Sequence, residues 1–280
     1  MTYDALLPFG AYRNSSHWKF NFKFLTKRKF IPGVIRGYFR RYPRDFISDV
    51  ELDGVKFRCH PFQNCHDADF FSGSIFQLEA EEFAFLERHA RDGGVFVDIG
   101  ANTGAISVPL ALKCPKLKSI LAIEPDPVNI SRLAYNTKIN GISNIAISRH
   151  AIGDDNYASH LWINSPGNRG NNSLHLLGLS NKKRNKKQPA AVDVDVRLLA
   201  DILNDNNIRN IDILKIDVEG YEDRALLPYF RASERSCWPK AVLIEHIHSE
   251  NWKEDCIGWM KKNGYSVEFK NGANTMLVLN

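Results

Sequence analysis

Residues 95–104 read Val-Phe-Val-Asp-Ile-Gly-Ala-Asn-Thr-Gly, and 20 residues past the last glycine stands Glu124, within Ile123-Glu124-Pro125-Asp126. The pairing dictates a buried strand, a glycine turn that opens a helix, and a second strand that ends in an acid. An open α/β sheet builds a nucleoside pocket from these parts, at the carboxyl edge of its strands. The spacing Asp98-x-Gly100-x-x-x-Gly104 differs from the Gly-x-Gly-x-x-Gly of a dinucleotide binder. A pyrophosphate needs closely spaced glycines, so that its oxygens approach backbone N–H groups at a helix N-terminus.

Asp98 stands two residues before the first glycine, where the pattern has it face the ligand. A carboxylate there repels phosphate and suits the cationic amino-acid end of S-adenosylmethionine. Glu124, at the tip of the next strand, is placed to accept hydrogen bonds from ribose hydroxyls. On the plainer reading, Asp98 caps the following helix and the glycines only make a turn. On the Glu124 spacing alone, an NAD-binding oxidoreductase is an alternative.

Composition bounds the remaining classes. A chain of 280 residues, 44% hydrophobic and 25% charged, buries a substantial core and reads as a soluble globular protein. No run approaches the ~18 apolar residues of a membrane-spanning helix, and no secretory signal pattern opens the chain. The five cysteines are odd in number and scattered, which implies a reducing, cytoplasmic setting. Cys59-His60 and Cys65-His66 fit no common zinc spacing, and no metal is assigned.

Charge separates the chain into two parts. Residues 1–45 carry ten Lys/Arg against Asp4 and Asp45, a net +8, and the remainder is net −3. Within this basic extension Ile31, Val34, Ile35, Tyr38, Phe39 and Tyr42 recur at helical spacing, with Arg36, Arg40 and Arg41 on or beside the other face. The amphipathic helix either packs its stripe on the following domain, the simpler reading, or meets a membrane surface or another anionic partner. A second basic run, Lys182–Lys187, reads as a solvated loop.

Residues 46–280 read as one domain. Its first part, 46–92, holds strands Phe46–Leu52 and Val55–Cys59 around an Asp53-Gly54 turn, then a helix over 77–91. The core, 93–280, alternates strands and helices: strands Val95–Ile99, Ile120–Glu124, Ile145–Ala151, Ile211–Asp217 and Ala241–His246, and helices Ala105–Leu112, Pro127–Asn140 and Leu198–Asn204. Added strands are Ser159–Ile163 and Val192–Val196. Ser266–Phe269 and Thr275–Leu279 flank an Asn271-Gly272 turn, a strong hairpin signal. Five parallel strand–helix units closed by a terminal hairpin make a Rossmann-like, mostly parallel seven-stranded sheet of the class I methyltransferase type, with an N-terminal α/β extension.

The segment Asp212-Ile-Leu-Lys215-Ile-Asp217-Val-Glu219-Gly-Tyr-Glu222 resembles the signature of the FkbM methyltransferase family. So do Asp98-Ile-Gly-Ala-Asn-Thr-Gly104, Glu124-Pro-Asp-Pro127, Asn136 with Asn140, the Asn172-Ser173-Leu174 turn and Glu245. The likeness covers about residues 46–280. Two departures stand out: residues 1–45 have no placeable counterpart, and Phe76-Gln77 stands where the family often has an aromatic–glutamate pair. The resemblance implies methyl transfer from S-adenosylmethionine to oxygen, on hydroxyls of macrolides, sugars or other glycans.

An in-line displacement at a sulfonium needs alignment, and an alcohol acceptor needs a base or a metal to remove its proton. The expected catalytic set is Asp217 as base or acceptor-orienting group, Glu219 beside it, Lys215 tuning the acids, and Glu245 with His246 completing the acceptor wall. A metal held by Asp217, Glu219, Glu245 and His246 is conceivable, but no spacing rule supports it. The expected cofactor set is Asp98, Gly100, Ala101, Asn102, Gly104, Glu124, Pro125, Asp126, Ile152 and Asp154, with Asp154 near the adenine amine. Asn172-Ser173, followed by His175, reads as a lid over the acceptor. A nucleic-acid methyltransferase using the basic arm is the second reading. Against it, Asp-Val-Glu-Gly lacks the proline–aromatic platform that stacks a flipped base. A binding module that has lost its chemistry is the third.

Overall fold

A computed structural model describes residues 7–13, 45–165, 167–175 and 190–280. The amphipathic stripe 31–42 and the basic run 182–187 lie outside the described residues. The Asp53-Gly54 turn, with φ of 50° and 80°, joins strands Ser48–Leu52 (β1) and Val55–Cys59 (β2) in an antiparallel hairpin, as the turn chemistry requires. Three helices follow: Cys65–Ser72 (α1), Ile75–Leu78 (α2) and Ala80–His89 (α3). Only the last falls within the helix expected over 77–91. Helix α1 is set by local chemistry: the Asn64 side chain accepts the His66 N–H at 3.1 Å, and Gly73 ends the helix in the left-handed conformation at φ 73°.

The core begins with Val95–Ile99 (β3), Ser107–Lys113 (α4), Ser119–Ile123 (β4), Pro127–Ile139 (α5) and Ile145–Ser148 (β5). The chain then leaves this sheet. The expected strand Ile145–Ala151 breaks at Arg149-His150, and Ala151–Ile152 (β6) joins a second sheet with Tyr157–Ile163 (β7), Asn172–Ser173 (β8) and Ala191–Arg197 (β9), in the order β6-β9-β7-β8. The core resumes with Leu199–Asp205 (α6), Ile213–Ile216 (β10), Glu222–Ala232 (α7), Ala241–Glu245 (β11), Cys256–Lys262 (α8), Tyr265–Lys270 (β12) and Asn274–Leu279 (β13).

The main sheet has seven strands in the order β12-β13-β11-β10-β3-β4-β5. All neighbours from β5 to β11 pair parallel, and β13 alone is reversed, between β11 and β12. The expected Rossmann-like α/β sheet with its terminal hairpin is therefore present. Its central strands read as continuous apolar runs because both faces are covered. Phe57, Phe70, Phe85, Leu110 and Leu133 pack one face from the hairpin and α1, α3, α4 and α5. Leu203, Leu226, Phe230 and Met260 pack the other from α6, α7 and α8. The order reverses between β3 and β10, and the carboxyl ends of β3, β4, β10 and β11 open on that crevice.

A buried ion pair fastens the start of the chain to this body. Asp49 Oδ1 accepts Arg58 Nε at 2.7 Å, and Asp49 Oδ2 accepts the N–H groups of Gly10 at 2.7 Å and Tyr12 at 3.1 Å. Arg58 donates to the carbonyls of Leu7 and Pro8 at 3.0 and 2.9 Å and lies over the Tyr12 and Tyr135 rings. Neither side chain of the pair is more than 3% exposed. Asp49→Ala leaves this guanidinium uncompensated, so a loss of about 3–5 kcal/mol is expected in urea unfolding; a loss under about 1 kcal/mol would show that water reaches the pair.

Candidate active site

The glycine turn is shaped by a close approach. Gly100 has φ +78°, and a Cβ there would stand 1.9 Å from the Asp217 carbonyl oxygen, so only glycine lets the end of β3 meet the end of β10. The N–H groups of Gly100 and Ala101 both donate to the Ile123 carbonyl, at 2.9 and 3.0 Å. Asn102 follows in the left-handed region at φ 54°, with its side-chain oxygen accepting from Asn64 Nδ2 at 2.5 Å. Its N–H donates to Glu124 Oε2 at 2.8 Å, and the N–H of Asp126 donates to Glu124 Oε1 at 2.8 Å. Burial pushes the Glu124 carboxyl up to about 7, against the pull of these donors.

These elements enclose a cavity of about 450 Å³, within the range of small-molecule sites (~300–1,000 Å³). Of the residues expected from the sequence, Gly100, Asn102, Glu124, Pro125, Ile152, Asp217, Glu219 and Glu245 line it. The others stand elsewhere. Asp98 is fully buried, because Lys215 lies directly opposite it in register on β10 and Ser107 of α4 reaches its other oxygen. Ser107 Oγ donates to Asp98 Oδ2 at 2.5 Å, Lys215 Nζ stands 3.5 Å from Oδ1, and Lys215 donates to the Gly100 carbonyl at 3.0 Å. Asp98 and Lys215 thus hold the turn from beneath instead of facing the ligand.

Ala101 is packed in the core, and Gly104 sits where a Cβ would stand 2.6 Å from Leu133 Cδ1 and 2.9 Å from Val108 Cγ2, so both shape the turn without lining the cavity. Asp126 is fully buried and caps α5, its Oδ1 accepting the Val128 N–H at 2.8 Å. Asp154 is exposed and pairs with Lys253 at 3.5 Å, outside the cavity. His246 is turned away because Glu245 takes the inward position on β11. Its ring lines a separate cleft with Trp252 and Lys270, and Nδ1 meets Thr275 Oγ1 at 3.1 Å. Among the described residues, no group of three or more His, Cys, Asp or Glu side chains is arranged to hold a metal ion.

The structure adds residues beyond the expected catalytic and cofactor sets, among them Cys65-His66, which the sequence presents only as a metal pair, and His248, which has a weaker claim there. Asn64, Cys65 and His66 enter from the start of α1, and His248, Ile247 and Tyr221 from the loops after β11 and β10. Asn64 is placed by its role as the cap of α1, and nothing local to the others fixes which way they face. Residues 168–174 form a continuous wall, which gives the Asn172-Ser173 turn its setting. Arg169 donates to Asp126 through Nε and Nη2, both at 2.8 Å, Asn172 Nδ2 reaches the same carboxylate at 2.6 Å, and Ser173 Oγ donates to the Glu219 carbonyl at 3.0 Å.

At the far end the acids gather. Glu219 occupies the left-handed region at φ 57°, a costly conformation for a side-chain-bearing residue, and its Oε2 lies 3.1 Å from His248 Nε2. Glu222, at the start of α7, accepts the Val218 and Gly220 N–H groups at 2.9 and 3.2 Å and Trp252 Nε1 at 2.7 Å, which pins this loop. Burial, with Asp217 and Glu222 nearby, pushes Glu219 up to about 8. Burial and the carboxylates of Asp217, Glu219 and Glu222 push Glu245 up to about 10. Burial also raises Glu79 to about 7 and lowers the His66 ring, which stands 3.9 Å from Glu79. Lys215, 3.8 Å from Asp217 Oδ2, is the cation set against this cluster.

Comparison with known proteins gives a consistent family. The sequence profile of the Methyltransferase FkbM domain matches residues 98–267. Methyltransferase 1 of Beauveria bassiana (strain ARSEF 2860) is 30% identical over 142 residues, 47% of this chain and 56% of that protein. Methyltransferase sdnD of Sordaria araneosa is 29% identical over 214 residues, 68% of this chain and 77% of that protein. The crystal structure of methyltransferase FkbM from Methylobacillus flagellatus KT aligns with a TM-score of 0.45 and 19% identity, over 76% of this chain and 54% of that one. The chain thus spans little more than half the length of the first and last of these.

The raised acids make a stability prediction. A carboxyl whose value is higher in the folded protein keeps its proton longer there than in the unfolded chain, so stability falls as pH rises through that interval. For Glu219 and Glu245 the interval runs from their ordinary 4.5 to about 8 and about 10. Melting of the ligand-free protein is expected to shift downward from pH 5 to pH 9, and Glu245→Gln is expected to flatten that slope. A wild-type profile no steeper than that of Glu245→Gln would show that Glu245 is already ionised.

Proposed function

Because the chain belongs to the FkbM methyltransferase domain family, we propose that it transfers a methyl group from S-adenosylmethionine to a hydroxyl oxygen of a sugar, glycan or other secondary metabolite. Glu124 carries this reading. Its carboxylate lines the cavity with each oxygen held by one backbone N–H, and each keeps a further lone pair for a ribose diol. The donor set fits the cofactor as well: the Asp217 carboxylate favours a cationic sulfonium and ammonium, and it opposes the phosphates of a dinucleotide or a nucleic acid. Pro125, Ile152 and Leu161 supply apolar walls for a base.

When bound, the cofactor supplies an electrophilic methyl carbon on a cationic sulfur. The chain's own contribution is alignment and proton control. Asp217 is the group that takes the acceptor's proton, with Lys215 beneath it steadying the carboxylate. Glu219 and Glu245 hold their protons at neutral pH and donate hydrogen bonds to acceptor oxygens. His248, against Glu219, fixes the direction of that carboxyl. The wall 168–174 and the start of α1 exclude water from the reacting atoms.

Calorimetric titration with S-adenosylhomocysteine tests the cofactor, and transfer of a labelled methyl group to a panel of hydroxylated glycans tests the reaction. Wild type is expected to bind the homocysteine product at micromolar concentration, and Glu124→Ala to bind at least about tenfold more weakly, the scale of a charge-assisted hydrogen bond. Asp217→Asn is expected to retain that affinity while transfer falls by about 10²–10⁴-fold. Binding of NADH in place of S-adenosylhomocysteine would overturn the reading in favour of an oxidoreductase.

A further inference from the structure

Four carboxylates line the cavity, from Glu124, Asp217, Glu219 and Glu245, and one Lys or Arg side chain among the described residues, Arg169. Arg169 belongs to the irregular wall beside the glycine turn. Its own N–H donates to the Gln63 carbonyl at 2.7 Å, and a Cβ on the next residue, Gly170, would stand 3.2 Å from Asn102 Nδ2. The guanidinium presents Nε and Nη2 to the buried Asp126, each at 2.8 Å, and its side chain is 18% exposed. Among the described residues Nη1 makes no hydrogen bond and is not fully buried, and Arg169 is one of the residues that line the cavity. A guanidinium carries five donors in a rigid fork. Asp126 takes one edge and fixes the plane, which leaves the Nη1 edge oriented and unpaired.

We infer that Arg169 is the receptor for the α-carboxylate of the cofactor's amino-acid tail. The inference rests on the cofactor reading above and extends it to a residue outside the glycine turn. Charge sorting is the argument. The tail carries one carboxylate, and Arg169 is the one Lys or Arg side chain that the described residues place in the cavity to meet it. The Nη1 edge offers it a charge-assisted, geometrically fixed partner. The ammonium and the sulfonium are left to the acids. Asp126 then has two tasks: it caps α5 beside Glu124, and it aims the cation that reads the tail.

The test compares S-adenosylhomocysteine with S-adenosyl-3-thiopropylamine, the same molecule without its carboxylate, by calorimetry. Wild type is expected to prefer the carboxylate-bearing ligand by about 10- to 100-fold. Arg169→Met is expected to erase that preference while it still binds the decarboxylated ligand like wild type, and Arg169→Lys to keep part of the preference. Equal binding of the two ligands by wild type overturns the inference without recourse to any variant. Equal loss of both ligands in Arg169→Met also overturns it, since the arginine would then only hold the wall in place. Failure of wild type to bind S-adenosylhomocysteine at all would instead remove the cofactor reading, and the inference with it.

Discussion

The site is organised around one buried cation. Lys215 lies between Asp98 and Asp217 and donates to the Gly100 carbonyl, so a single ammonium joins β3, the glycine turn and the tip of β10 at the point where the strand order reverses. Removing one partner from such a group leaves an uncompensated charge in a dry interior, a loss of about 3–5 kcal/mol. The arrangement also explains the glycine. The Gly100 backbone approaches the Asp217 carbonyl so closely that no side chain fits between them. Parallel strands bring the two tips together, and Lys215 neutralises the acids that this brings into contact.

Charge is distributed unevenly along the cavity. Near the glycine turn, carboxylates face nearby cations and donors: Asp98 has Ser107 and Lys215, Asp126 has Arg169 and Asn172. At the other end burial and neighbouring carboxylates raise Glu219 and Glu245, with Lys215 and, against Glu219, His248 as the nearby basic groups. A site that holds protonated carboxyls at neutral pH presents hydrogen-bond donors where ionised acids would present none. It also accepts positive charge without a large rearrangement. Both properties suit the proposed reaction, in which a sulfonium would stand beside a hydroxyl that loses its proton.

The wall 168–174 links the two ends mechanically. Through Arg169 and Asn172 it is held to the cap of α5, next to Glu124, and through Ser173 to the carbonyl of the strained residue Glu219. The contacts are short and charge-assisted at one end and neutral at the other. The segment is therefore better anchored at the Asp126 end, beside Glu124, than at the Glu219 end.

The sequence by itself determined the parallel sheet, the glycine turn, the acid at the tip of β4 and the terminal hairpin. These follow from local rules: unbroken apolar runs, residues tolerant of positive φ, and a hairpin turn at Asn271-Gly272. The break of the third expected strand at Arg149-His150 was not legible, because it depends on pairing between Ala151–Ile152 and Val196–Arg197, far along the chain. Only the tertiary structure decided which of the expected residues face the cavity. Side-chain direction at a strand end depends on register and alternation, so Glu245 turns in and His246 out, while Asp98 is taken up by the lysine beside it. The pairing of Asp126 with Arg169 joins residues 43 positions apart, and no local pattern encodes a contact that only the closed chain creates.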